Sequence, residues 1–130
     1  MGDFTDNEVP LRVQIEHENG ITILHVQGQV SDLGADVLSA VLDRVLETGD
    51  RHIVFDMADV SYLCSTGLGQ IMRAYRVVRD KGYVRIAGLQ PLVADLFRLT
   101  KLDKLLKLYD TLDAAVAADS EGDPSLTVAQ

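Results

Sequence analysis

The segment from Ile53 to Gly69 constrains the fold more than any other part of the chain. It opens with the apolar run Ile53-Val54-Phe55-Asp56-Met57, passes through a short loop, and reaches Ser65-Thr66 at the mouth of a helix. On its N-terminal side, Leu33, Val37, Leu38, Val41, Leu42, Val45 and Leu46 recur at three- and four-residue steps. On its C-terminal side, Leu68, Ile71, Met72, Tyr75 and Val78 do the same. Both are the apolar stripes of amphipathic helices. A helix between two strands implies a parallel pair with a right-handed crossover.

The remaining elements follow from local signals. Leu11, Val13 and Ile15 alternate with Arg12, Gln14 and Glu16, the period of a strand with one face in water. Asn19-Gly20 supplies the left-handed residues of a tight hairpin, so the first strand is antiparallel to a second, Ile21–Gln27, which Gly28 ends. Ser31-Asp32 caps the first helix and Gly49 closes it. The third strand spans Arg51–Met57, and the second helix runs from about Thr66 to Asp80. After Gly82 come a fourth strand, Tyr83–Ala87, and a third helix opened by Pro91. A short fifth strand, Leu105–Tyr109, and a last helix capped by Thr111 and ending near Ala118 complete the pattern. The expected fold is α/β: a mixed sheet of four or five strands, the first antiparallel, with about four helices mainly on one face. Residues 1–10 read as an N-terminal extension, 11–118 as one domain, and 119–130 as a polar, flexible tail.

Composition narrows the function classes. A net charge of −8 over 130 residues argues against a nucleic-acid-binding surface, which needs clustered Lys and Arg. The acidic N-terminus has no signal-peptide core, and no run approaches the roughly 20 apolar residues of a membrane span. A cytoplasmic protein with no membrane attachment is the expectation. The single cysteine, Cys64, allows no internal disulfide and no metal-ligand spacing.

Catalytic motifs are incomplete throughout. Gly67-Leu68-Gly69-Gln70 lacks the lysine of a phosphate-binding loop, and Met72 stands where a dinucleotide fingerprint needs its third glycine. Leu63 occupies the upstream glycine position of a serine-hydrolase elbow. Asp56 has no acidic pair with which to hold magnesium and reads as a polar strand-end residue bonded to loop N–H groups. His17, His25 and His52 are dispersed and form no expected cluster. No cofactor, metal or enzymatic activity is expected. Ser65 and Thr66 remain, either as helix caps or as a hydroxyl modified by another protein. Gly67 and Gly69 favour modification: glycine in a helix costs about 1 kcal/mol against alanine, which calls for a packing or access reason. Arg73, Arg76 and Arg79 share a helix face, either solvated or a second contact surface.

In Cys64-Ser65-Thr66-Gly67-Leu68-Gly69, together with Gly28, the run Gly88–Phe97 and Tyr109-Asp110-Thr111, the chain resembles the STAS-domain family. The likeness is to bacterial anti-sigma factor antagonists and spans roughly Leu11 to Ala118. It implies that Ser65 is the phosphorylated residue and that Cys64, Ser65, Thr66, Gly67, Leu68 and Gly69 form the partner-binding surface, to which the arginine stripe adds Arg73 as a second candidate contact. Family members commonly carry Asp where this chain has Cys64, which removes a negative charge beside the acceptor. The resemblance further implies partner switching. The unmodified protein binds an anti-sigma factor that is also a serine kinase, and a sigma factor is freed. Phosphorylation ends the complex and a PP2C-type phosphatase resets it. The alternative within the family is a non-switching scaffold subunit of a signalling or lipid-transport complex.

Overall fold

The computed structural model describes residues 11–118; the expected N-terminal extension and flexible tail lie outside these residues. Five strands form one sheet in the order β1-β2-β3-β4-β5. They are β1 (Leu11–Glu18), β2 (Ile21–Val30), β3 (His52–Leu63), β4 (Tyr83–Ala87) and β5 (Lys107–Tyr109). The helices are α1 (Asp32–Glu47), α2 (Ser65–Val78), α3 (Pro91–Leu99) and α4 (Leu112–Ala117), with a 3-10 turn at Leu102–Lys104. β1 and β2 are antiparallel and every later pair is parallel, as the hairpin and crossover signals predicted. Asn19 and Gly20 both take positive φ in the turn.

Burial follows the strand alternation. Leu24, Val26, Phe55, Met57, Val84 and Ile86 point to one face, where they pack with Leu38 and Leu42 of α1, Ile71 and Val78 of α2, and Phe97 of α3. Ile23, Val54, Tyr83 and Ala87 point to the other face and meet Ala115 of α4. The expected layering therefore holds for three helices, and the fourth covers part of the opposite face. With that last helix over it, all five residues of β4 are buried. Even Arg85 is only 1% exposed there. Its guanidinium lies 3.7 Å from the Tyr83 ring centroid and donates to the Ala115 carbonyl at 2.8 Å.

The central strands depart most from expectation. Gly28 does not end β2: it takes a φ of 118° inside the strand, and pairing continues to Val30. β3 likewise passes Met57 and reaches Leu63, so the expected loop is strand. The register shifts between His25 and Gln27 and again between Gly28 and Gln29, β3 gaining one residue on β2 each time. Such bulges break the period-two pattern and leave Ala58 and Asp59 both exposed, which is why this stretch reads as a loop. β5 is shorter than expected because Leu105 and Leu106 belong to the turn before it; Leu106 is fully buried.

The core predicts its own sensitivities. Phe55 lies between the sheet and the helices with no exposure, so Phe55→Ala should cost about 3–5 kcal/mol in urea unfolding. Leu92, 80% exposed, should tolerate Ala within about 0.5 kcal/mol in the same assay.

Candidate functional site

The β2–β3 pairing carries the chain to the mouth of α2. Its last rung places the Cys64 N–H 2.8 Å from the Val30 carbonyl, and α2 begins at the next residue. Cys64 is the N-cap: its backbone is extended, and its Sγ accepts from the Gly67 N–H at 3.4 Å. Capping therefore belongs to neither expected hydroxyl. Ser65 and Thr66 are the first two helical residues, both exposed, and among the described residues neither hydroxyl takes a side-chain hydrogen bond. A hydroxyl released from capping points its chemistry outward.

The two glycines have separate causes. A Cβ on Gly67 would run into Val30 and would come within 2.9 Å of Leu63 Cδ1, so this residue is glycine for packing. Leu68, 8% exposed, joins the main core. Gly67 and Leu68, expected on the docking surface, thus turn inward and hold the helix mouth in place. Gly69 is exposed and a Cβ there would meet nothing within 4 Å. Among the described residues, no steric reason requires glycine at that position.

The mouth of α2 carries the field of a helix start. A helix start carries free N–H groups and about half a positive charge. The first turn of α2 has no acidic residue, whereas α1 has Asp32 and α4 has Asp113. A thiol is a weaker acceptor than a carboxylate, so Cys64 leaves more of this field open than Asp would.

Arg73 lies elsewhere than the spacing implied. Its guanidinium pairs with Asp43 at 2.9 Å and donates to the Ser39 carbonyl at 3.2 Å, while Nε donates to Gln70 at 3.0 Å. These bonds fasten α2 to α1, so Arg73 is a seam residue. Arg76 and Arg79 are the exposed members of that stripe.

One grouping escaped the sequence reading. His25, expected to stand apart, contacts Glu16 through Nε2 at 2.7 Å and Asp56 through Nδ1 at 2.8 Å. Asp56 sits in mid-strand rather than at a strand end, and its other oxygen accepts from the Ala58 N–H at 3.3 Å. The Glu16 bond raises the His25 pKa above the ordinary 6.5; burial opposes this, and Asp56 adds to the rise. The hairpin register could have shown it: Gln14 pairs with His25, placing Glu16 one diagonal step away on the same face. The link to Asp56 needed the β2–β3 register. Among the described residues, no group of His, Cys, Asp and Glu is arranged to hold a metal ion.

Comparison with known proteins places this geometry in a family. The STAS domain matches residues 12–115, and the chain belongs to the STAS-domain family. Its sequence is 26% identical over 102 residues to the anti-sigma F factor antagonist of Paenibacillus polymyxa, covering 77% of this chain and 87% of that one. The fold superposes on an anti-sigma factor antagonist from Mycobacterium paratuberculosis with a TM-score of 0.77 at 25% identity, covering 82% of this chain and 91% of the other. The Bacillus cell fate determinant SpoIIAA in its phosphorylated form shares the fold, with a TM-score of 0.65 at 16% identity over 81% of this chain and 96% of its own.

The weak cap yields a stability prediction. Cys64→Asp should stabilise the domain by about 1 kcal/mol, the usual worth of a good N-cap, measured by urea unfolding near neutral pH. Adding salt should reduce the gain, because part of it is attraction between carboxylate and helix end.

Proposed function

We propose that this protein is an anti-sigma factor antagonist that works by partner switching, with Ser65 as the phosphorylated residue. The reading is carried by one observation: the Ser65 hydroxyl is exposed on the first residue of α2 while Cys64 does the capping. Its named relatives are anti-sigma factor antagonists. The partner is an anti-sigma factor that is also a serine kinase, and a PP2C-type phosphatase reverses the modification. Both proteins, and the ATP and magnesium they use, act on this chain in the cytoplasm; the chain itself only binds.

The physical basis is a local change in charge and bulk. A phosphoryl group on Ser65 adds about −1.5 to −2 charges near neutral pH. The free N–H groups and positive end of α2 tolerate that charge, so the fold persists. A partner surface fitted to a neutral hydroxyl does not, because it gains an anion it has not been built to solvate. A loss of about 3 kcal/mol in binding corresponds to roughly a hundredfold weaker affinity, enough to separate bound from free populations.

Within this reading the site residues divide their tasks. Ser65, Thr66 and Gly69 face the partner, and Gly69 allows its backbone to approach. Cys64, Gly67 and Leu68 fix the position and direction of the helix mouth. Arg73 contributes by holding α1 beside α2, and the exposed Arg76 and Arg79 are the cations available to a docking protein. Among the described residues, no helix is long and apolar enough to cross a membrane.

Binding of the purified cognate kinase tests the proposal. Ser65→Ala should retain full affinity and resist phosphorylation, while Ser65→Asp should bind roughly a hundredfold more weakly. Equal retention of both variants, with site mapping that leaves Ser65 unmodified, would point instead to a constitutive scaffold. Gly69→Gln separates access from folding. It should preserve or raise thermal stability, by up to about 1 kcal/mol from helix propensity, yet weaken kinase binding.

A further inference from the structure

The second sheet face carries a group of titratable side chains for which the proposed switch has no use. His25 stands on the β2 strand between Glu16 of β1 and Asp56 of β3, each carboxylate within hydrogen-bond distance of a different ring nitrogen. Ionised carboxylates only accept, so satisfying both contacts requires both ring nitrogens to carry protons. Only the imidazolium can do that. A neutral ring has one N–H, and its lone pair then faces the second carboxylate at under 3 Å.

We propose that Glu16, His25 and Asp56 form a proton-operated clasp that pins the β1 edge of the sheet to its parallel core. Among the described residues, β1 is an edge strand whose backbone pairs with β2 alone. The clasp adds a side-chain link that reaches across β2 to β3. Its effect extends to the main core, because Leu11 and Val13 on the other face of β1 pack there with the α1 side chains.

The surroundings leave few other charges to interfere. At the level of His25 the register runs Gln14, His25, Asp56, Ala87, Tyr109, so Asp56 is the sole carboxylate in that row. Along β1 on the same face, Arg12 and Glu18 flank the cluster and are exposed. On β2 the next residue on this face is the uncharged Gln27, and its register partner on β3, Asp59, is an exposed carboxylate beyond Asp56. On β4, Arg85 is engaged with the Ala115 carbonyl and the Tyr83 ring, and Asp113 of α4 is exposed.

The direction of the pH effect follows. His25 is raised above 6.5 in the fold, chiefly by Glu16, against its burial and with help from Asp56. A group held above its unfolded value contributes fully below about pH 6.5, and that contribution fades as pH rises through the folded midpoint. The edge is therefore tight in mildly acidic solution and looser in mildly alkaline solution.

NMR of the full chain tests this between about pH 5 and 8 and just above. The His25 ring should titrate above 6.5, and Glu16→Gln and Asp56→Asn should each move its midpoint downward. Amide exchange in β1, measured relative to α2 in the same sample, should accelerate as pH rises through that midpoint. In His25→Gln this pH-dependent part should vanish. A ring midpoint at or below 6.5, a midpoint unmoved by Glu16→Gln, or a constant β1-to-α2 exchange ratio would each overturn the clasp. Glu16 is half exposed, so its variant folds and decides the matter even where His25→Gln does not.

Discussion

The pairing of β2 with β3 is the constraint on which the rest of the molecule depends. It joins the antiparallel hairpin to the parallel sheet, and its bulged continuation delivers the chain to Cys64. The stretch from Gln27 to Val30 opposite Asp59 to Leu63 anchors the residue before α2 to the sheet. Val30 then serves twice, its carbonyl holding the Cys64 N–H and its side chain closing against Gly67. Main-chain hydrogen bonding and close packing at one residue together aim the Ser65 hydroxyl.

Six consecutive residues at that point have opposite physical assignments. Gly67 and Leu68 face the core, Cys64 satisfies a helix N–H, and Ser65, Thr66 and Gly69 face solvent. Under the proposed switch, this arrangement suits a residue whose modification is to be reported without unfolding the domain. Rigid inward residues keep the helix mouth in register, and the outward ones carry no internal duty that a phosphate would disturb. The open N–H groups of a first turn lacking acidic side chains supply a compatible field.

Charge is distributed unevenly around this frame. Arg73 and Asp43 bind α1 to α2 at the helical layer, and His25 bridges two carboxylates on the opposite sheet face. Arg85 is buried beneath α4, stacked on Tyr83. Partly buried charges of this kind cost desolvation and persist where several hydrogen bonds compensate it. Each here ties together elements that the hydrophobic core alone would leave free to slide: two helices, three strands, and a helix on a sheet.

Local chemistry determined much of this protein by itself. The turn at Asn19-Gly20, the apolar stripes of α1 and α2, Pro91 at the start of α3 and the caps at Ser31 and Thr111 are all legible, because each depends on neighbours within four residues. So is the helix start at Ser65-Thr66. Only the tertiary structure decided the extension of β2 and β3, since bulges erase alternation and their stability comes from a partner strand some thirty residues away in sequence. It also decided that Cys64 caps, that Gly67 packs while Gly69 does not, that Arg73 belongs to a helix seam, and that His25 meets Glu16 and Asp56. Side-chain periodicity records which face a residue takes; what it touches there is set by register and packing between segments distant along the chain.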